Sequence, residues 1–235
     1  MNLIQSTVAV LFSAFISSSA FAIDICTQPN TQIPDNGTEV AIPIFYIADD
    51  NEVVDSIEVD LTMTHDWVGD LLIKLRAPDG TTITLLDRPG IPSAGFPGPF
   101  GCGGRDISCS FTDSASIPAE SVCSTTQTPV ISGLVIPSMP METFLGQPAA
   151  GFWQLLVSDH SAHDTGVVLE ACLSIETTAV CIADLNDDGE LDFIDISTFV
   201  SAFGNADPIA DLNNDGQHDF IDISAFVAAF TAGCP

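Results

Sequence analysis

The fold of most of this chain is set by residues 57–86, which read IEVDLTMTHDWVGDLLIKLRAPDGTTITLL. Apolar and polar residues alternate over positions 57–64 and again over 71–76, and this period of two is typical of half-buried β-strands. The turn-forming residues Pro78-Asp79-Gly80 then precede a third run at 81–86. The stretch therefore predicts three short strands in succession.

The same pattern continues through much of the chain. Further runs at 130–136, 152–157 and 167–175 predict strands, and a Gly- and Pro-rich loop spans 89–104. No convincing helix falls before residue 177. Many short strands over about 150 residues are typical of an antiparallel β-sandwich or jelly roll. The expected fold class is mainly β, with a jelly-roll β-sandwich domain at 23–177 followed by a small α-helical domain at 181–235.

The last segment contains an internal repeat. Residues 184–203 and 211–230 differ at only five of twenty positions, at an offset of 27. Each copy opens with a twelve-residue loop that has oxygen-bearing side chains at positions 1, 3, 5, 9 and 12 and glycine at position 6. Calcium takes six to eight oxygen ligands at about 2.3–2.6 Å, whereas magnesium requires a tighter octahedral set. The spacing therefore indicates calcium rather than magnesium.

The repeat predicts two calcium sites. Position 7 is expected to contribute its backbone carbonyl, and the other five positions their side chains. Four ligating carboxylates in each loop would repel one another without a cation. The predicted ligands are Asp184, Asn186, Asp188, Glu190, Asp192 and Asp195 in the first loop, and Asp211, Asn213, Asp215, Gln217, Asp219 and Asp222 in the second.

A short helix is predicted after each loop, because apolar residues recur there at a spacing compatible with one helical face. Neither helix is long enough to be stable alone, so metal binding and mutual packing would supply the folding energy. We expect the two Phe/Val faces to pack together. The residues concerned are Ile194, Phe199, Val200 and Phe203 in the first copy and Ile221, Phe226, Val227 and Phe230 in the second.

Two calcium loops, each followed by one helix, resemble a dockerin-type repeat, and aspartate at position 12 fits that family. The resemblance covers residues 181–235 and implies that a secreted protein is anchored to a cohesin module through loop positions 10 and 11. These positions are Phe193-Ile194 and Phe220-Ile221, which lack the hydroxyl pair usual in the family. They form either a docking patch or helix core, and aromatic residues at helical spacing favour core.

Two groups of motifs in the sandwich segment also belong together. The front group is 64–71 (THDWVGDL), 75–81 (LRAPDGT) and 85–86; the back group is 144–146 (FLG), 151–155 (GFWQL), 157–159 (VSD) and 164–166 (DTG). They resemble the P/Homo B domain, which follows the catalytic domain of subtilisin-like proprotein convertases. The family usually has a tryptophan where this chain has Glu170-Ala171-Cys172. The resemblance implies a jelly roll that stabilises or targets a protease and carries no chemistry itself.

Sequence motifs for catalysis are missing. Asp164-Thr165-Gly166 resembles the aspartate motif of subtilases, but no serine or histidine motif accompanies it and the chain has no Gly-x-Ser-x-Gly. His160 and His163, beside Asp159 and Asp164, could bind a metal, although a solvated turn is favoured. Asp70, Asp159 and Asp164 are candidates for a third calcium site in the sandwich.

Charge and composition exclude several classes of function. The chain has 32 acidic and 4 basic residues, a net charge of −28, so it lacks the basic footprint that nucleic acid requires. No stretch approaches the 18 or so apolar residues of a membrane span. Residues 1–22 end in Ala20-Phe21-Ala22 and have the pattern of a signal peptide. We therefore expect a secreted protein.

Seven cysteines suit an exported, disulfide-bonded protein. A Cys181–Cys234 bridge would close the last segment, and a Cys26–Cys172 bridge would join the ends of the larger one. Within the Gly- and Pro-rich region, Cys102–Cys109 is the short loop, which leaves Cys123 unpaired. Sequence spacing alone leaves this connectivity open.

These features together predict a secreted, non-catalytic, calcium-binding protein that uses a P-domain-like sandwich and a dockerin-like module for anchoring. Its expected partner is an extracellular protein, either cohesin-like or a protease. One alternative is an accessory module of a secreted subtilisin-like serine endopeptidase. A second alternative is a carbohydrate-binding accessory protein of polysaccharide degradation, with a glycan as ligand.

Overall fold

A computed structural model describes residues 23–48, 52–90, 101–123, 126–213 and 215–233. The predicted signal peptide lies outside these ranges. The strands are β1 (Ile23–Thr27), β2 (Thr31–Ile33), β3 (Val40–Tyr46), β4 (Glu52–His65), β5 (Leu71–Arg76), β6 (Thr82–Asp87), β7 (Ile107–Phe111), β8 (Ile131–Val135), β9 (Gly151–Asp159) and β10 (Gly166–Ala179). The helices are α1 (Phe193–Gly204) and α2 (Phe220–Ala232). The mainly β class with two late helices is confirmed.

The ten strands form two sheets, which fits the predicted β-sandwich. One sheet has the order β1-β10-β4-β7-β8, with β2 also paired to β10, and the other has the order β3-β9-β5-β6. Every pairing is antiparallel except that of β7 with β8. Strands predicted at 57–64, 71–76, 81–86, 130–136, 152–157 and 167–175 are all present.

The longest strands extend well beyond their predicted limits. Both β4 and β10 have 14 residues and pair along most of their length. The register shifts between Val168 and Glu170 and again between Glu176 and Thr177. Each irregularity interrupts the alternation of apolar and polar residues, so a period-two pattern underestimates the length of these strands.

The sequence pattern does not predict four of these strands: β1, β2, β3 and β7. In β3 the apolar run is interrupted by Pro43, which has no backbone N–H to donate to a neighbour. Because β3 is an edge strand and pairs only with β9, the missing N–H of the proline breaks no hydrogen bond to another strand on its outer side. The short β1 and β2 each pair with a single strand, β10.

The sandwich core contains apolar side chains from both sheets. The indole of Trp153 is fully buried, donates from Nε1 to the carbonyl of Ala149 at 2.9 Å and contacts the ring of Phe144 edge-on. Tyr46 of β3 donates its hydroxyl proton to the carbonyl of Ile175 in β10, also at 2.9 Å. Since β3 and β10 belong to different sheets, this hydrogen bond joins the two layers within the core.

The disulfide pattern agrees only in part with expectation. The Cys26–Cys172 bridge is confirmed and joins β1 to β10. The predicted Cys102–Cys109 bridge is wrong, because Cys102 is bonded to Cys123 and Cys109 is a free, buried thiol. Cys109 occupies a core-facing position of β7, and burial raises the pKa of its thiol to about 12. Cys181 is disulfide-bonded, while the predicted partner Cys234 lies outside the described residues.

The helices have a small core of their own. The rings of Phe199 and Phe226 stack with centroids 4.2 Å apart, which confirms that the two copies pack together. The predicted single Phe/Val face is wrong, because Val200 and Val227 are exposed. Consecutive helical residues are rotated by about 100°, so a valine next to a buried phenylalanine points away from it. No helix in the described ranges is long and apolar enough to cross a membrane.

Candidate calcium loops and docking surface

The first twelve-residue loop, residues 184–195, is held by amides that donate to its own side chains. Asp184 accepts from the amides of Asp188 and Gly189 at 3.2 and 2.8 Å, one at each carboxylate oxygen. Asn186 accepts from Asp188 at 3.1 Å, and Asp188 accepts from Glu190 at 2.9 Å. The side chains at positions 1, 3 and 5 are therefore brought together on the inside of one tight turn.

The second loop, residues 211–222, has the same arrangement. Asp211 accepts from the amides of Asp215 and Gly216 at 3.1 and 2.8 Å, and Asp215 accepts from Gln217 at 2.8 Å. The glycines at position 6 have φ angles of +83° and +80°, a conformation in which a side chain is strained. The two loops thus satisfy the same backbone requirement with the same residue types.

The position-12 carboxylates connect each loop to its helix. Asp195 is fully buried and accepts from Leu185 N at 3.0 Å and from Asp192 N at 2.9 Å, with one bond at each oxygen. Asp192 in turn caps α1 by accepting from Ile194 N. Asp222 makes the equivalent bonds in the second loop, and these backbone hydrogen bonds lower the pKa of its carboxyl group.

The donor set is compatible with a hard divalent cation. A carboxylate oxygen has two lone pairs, so one that accepts a single amide proton keeps a second for a metal. In the described part of the chain, no three His, Cys, Asp or Glu side chains form a metal cluster by themselves. A calcium loop does not depend on such groups alone, since the amide oxygen of position 3 and the carbonyl of position 7 also bind.

The residues at positions 10 and 11 are exposed in both copies. Phe193 and Phe220 are each 77% exposed, and Ile194 and Ile221 are 51% and 56% exposed. The core interpretation favoured by the sequence is therefore wrong. On a helix with about 100° per residue, Phe193 and Ile194 lie some 120–140° away from Phe199, which faces the helix partner. These four residues are called the exposed pairs below.

A second cluster of predicted residues lies in the sandwich. His65 ends β4 and Asp159 ends β9; both are buried, with His65 Nε2 lying 3.4 Å from Asp159 Oδ2. Burial, strengthened by the charges of Asp159 and Asp164, raises the pKa of nearby Asp70 to about 6. The proximity of His65 to Asp159 could not be predicted from local sequence, because the pairing of β5 with β9 and of β4 with β10 brings the front and back motifs together.

The backbone is closely packed around this cluster. A Cβ atom on Gly166 would lie 2.3 Å from the carbonyl oxygen of Thr64 and 2.5 Å from the ring of His65. Only glycine fits at this position. The candidate third calcium ligands Asp70, Asp159 and Asp164 interact electrostatically but are not among any metal cluster in the described residues. The third site therefore stays a sequence prediction.

The candidate metal ligands His160 and His163 lie in the turn after β9. His160 Nε2 lies 3.0 Å from the hydroxyl of Ser158, and the amide of His163 donates to the carboxylate of Asp35 at 3.1 Å. Asp159 Oδ1 accepts from Ser161 N at 3.0 Å. These contacts tie the turn to its own strand and to the loop after β2.

Asp70 makes stability depend on pH. Its folded pKa of about 6 lies above the ordinary 3.8, so its stabilising contribution is complete below pH 3.8 and is lost as pH rises through 6. Relative to Asp70→Asn, the wild type should lose about 2–3 kcal/mol of unfolding free energy between pH 4 and pH 8. Urea unfolding at both pH values measures this difference. The exposed control Asp55→Asn should lose the same unfolding free energy as the wild type between the two pH values. If Asp70→Asn loses as much as the wild type, the pH dependence does not come from Asp70.

Comparison with known proteins supports one of the two resemblances. Residues 54–96 match the proprotein convertase P-domain family. No curated protein matches the chain. Among solved structures, the serine protease of Aeromonas sobria is 16% identical with a TM-score of 0.37, over 66% of this chain and 27% of the protease.

Two further solved structures are similar at the same level. A chain in the complex of the Aeromonas sobria serine protease with the chaperone ORF2 is 16% identical with a TM-score of 0.38, over 68% of this chain and 27% of that one. FlhE is 8% identical with a TM-score of 0.38, over 68% of this chain and 97% of its own. The family match alone supports a P-domain, over residues 54–96, which begin in β4 and extend past β6.

Proposed function

We propose that this chain is a secreted, non-catalytic, calcium-binding accessory protein, in which a P-domain-like sandwich is coupled to a dockerin-like docking module. The duplicated loop-helix unit carries the proposal. Both copies have the same amide-to-carboxylate bonds, the same capping aspartate and the same exposed pair. The Cys26–Cys172 and Cys102–Cys123 bridges fit an extracellular environment.

Calcium would act on the geometry of the module. Each loop carries four ligating carboxylates, and their mutual repulsion opposes folding until a cation neutralises it. The first loop is already bonded to the start of α1 through Asp195 and Asp192. Binding of calcium would therefore fix the start of the helix, where Phe193 and Ile194 lie.

The exposed pairs are the proposed docking surface. They contribute four large apolar side chains, each of which stays at least half exposed among the described residues. Adjacent exposed apolar side chains, as in each pair, commonly contribute to a protein interaction site. The partner would be an extracellular protein of the cohesin type, recognised through apolar contacts in place of the hydroxyl pair usual for dockerins.

The P-domain match favours a second role in the same protein. Because residues 54–96 match a family found beside subtilisin-like catalytic domains, the sandwich would act as an accessory module of a serine endopeptidase. The two roles are compatible, since the helical module could anchor a complex that the sandwich forms with a protease.

The calcium sites are tested by calorimetric titration of residues 23–235 while helix content is followed by circular dichroism. Wild type should bind two calcium ions, and Asp184→Ala and Asp211→Ala should each lose one, because position 1 supplies a ligand. Asp187→Asn is the matched control: it removes a charge from the same loop at position 4, where the second copy has Asn214. No binding at millimolar calcium would refute the proposal.

The docking surface is tested by passing the secreted proteins of the organism that produces this chain over the immobilised protein, first in calcium and then in chelator. A partner should be retained only in calcium, and Phe193→Ala with Phe220→Ala should reduce retention at least tenfold. Both side chains are largely exposed, so the double variant should stay within about 1 kcal/mol of wild-type stability. Ile117→Ala, exposed elsewhere, is the control. If the double variant retains the partner as well as the wild type does, the exposed pairs are not the docking surface.

A further inference from the structure

The outer face of the β3-β9-β5-β6 sheet carries two exposed aromatic rings beside a row of hydrogen-bonding side chains. We propose that this face, defined by Phe45, Phe152, Arg76, Gln154 and Thr82 and called the stacking face, binds an uncharged polysaccharide. Sugar rings would stack on the two phenylalanines, and their hydroxyls would bond to the polar row. This inference rests on the sandwich alone and does not require the calcium loops.

The aromatic pair is placed by strand register. Phe45 lies directly opposite Phe152 in the antiparallel β3-β9 pair. Ile44 and Trp153, their chain neighbours, are buried, so both phenylalanines point outward. The ring centroids are 4.5 Å apart, and the side chains remain 49% and 63% exposed. The two rings contact each other across the strands, and the described residues leave about half or more of each side chain exposed.

The polar row lies next to the rings on the same face. Gln154 follows Phe152 by two residues, a separation of about 6–7 Å along a strand. Arg76 lies opposite both Gln154 and Thr82. Its Nε donates to Thr82 Oγ1 at 3.2 Å and its Nη1 donates to Gln154 Oε1 at 3.3 Å. Two neutral side chains thus hold the guanidinium across the sheet.

Arg76 keeps donors for a ligand. A guanidinium has five N–H groups, and the two bonds to Thr82 and Gln154 use two of them. None of the ion pairs found in the described residues involves Arg76, although the chain has 32 acidic residues. An arginine with no carboxylate oxygen within 4 Å among the described residues keeps its remaining N–H groups for hydroxyl acceptors.

The size of the surface favours a sugar chain over a protein. A phenylalanine buries about 150–250 Å² when fully covered, so the exposed parts of this pair offer roughly 200 Å². Ile47, two residues after Phe45 and 69% exposed, adds one more apolar side chain. A stable protein interface needs about 800 Å² on each partner. A pyranose ring has apolar C–H faces and hydroxylated edges, which match rings and polar row respectively.

The charge of the protein favours an uncharged ligand. At a net charge of −28, long-range repulsion opposes the approach of uronate or sulfated chains. Neutral polysaccharides are not subject to that repulsion. The ligand class is therefore a neutral glycan.

The test is retention of residues 23–235 on insoluble cellulose, xylan, mannan and chitin, with alginate gel as a polyanion. At least one neutral polymer should retain the protein equally in calcium and in chelator, so this result is separable from the calcium-dependent docking. Phe152→Ala and, as a second variant, Phe45→Ala should each weaken retention at least tenfold. Arg76→Gln should weaken it as well.

Leu134→Ala, an exposed apolar change in the other sheet, should leave retention unchanged. Tryptophan fluorescence of buried Trp153 checks that each variant is folded. Absence of retention on all four neutral polymers would overturn the proposal. So would retention on alginate alone, or wild-type retention by a folded Phe152→Ala variant.

Discussion

The helical module depends on two buried carboxylates, Asp195 and Asp222. Each accepts at least one amide proton from the start of its loop and another from the residue that caps the following helix. A carboxylate in this position is desolvated, and hydrogen bonds to the charged form compensate for that cost. The loop, the helix start and the exposed pair beside it are therefore coupled through one side chain in each copy. A cation at the loop would strengthen the same connection.

The sandwich has a different basis for its stability. It is held by long antiparallel pairing of β4 with β10, by the disulfide from β1 to β10 and by an extensive apolar core. The stacking face belongs to the other sheet, where Phe45 and Phe152 are positioned by β3-β9 register. The proposed polysaccharide binding and the proposed calcium-dependent docking therefore rest on separate parts of the chain. A protein with both would hold a substrate surface and an extracellular partner at once.

Features that depend on a local sequence pattern could be predicted better than contacts between residues distant in the sequence. The two tight turns of the repeat could be predicted because the spacing of aspartate, asparagine and glycine requires them, while their calcium ligands stay a prediction. Strand β5 was recognised because Leu71, Ile73 and Leu75 fall at every second position. The Cys102–Cys123 bridge could not be predicted, since short sequence separation says nothing about which way Cys109 points within β7. The exposure of Phe193 and the pairing of Phe45 with Phe152 likewise depend on which faces pack and on strand register.

The central claim is that calcium orders the helical module while the sandwich is stable without it. Hydrogen exchange of residues 23–235 in calcium and in chelator measures this at each backbone amide. The amides of Leu185, Gly189 and Asp192, and those within α1 and α2, should exchange at least tenfold faster in chelator, whereas β4 and β10 should be unchanged. Equal protection of the helices under both conditions, or loss of protection in β4 and β10 as well, would contradict the account.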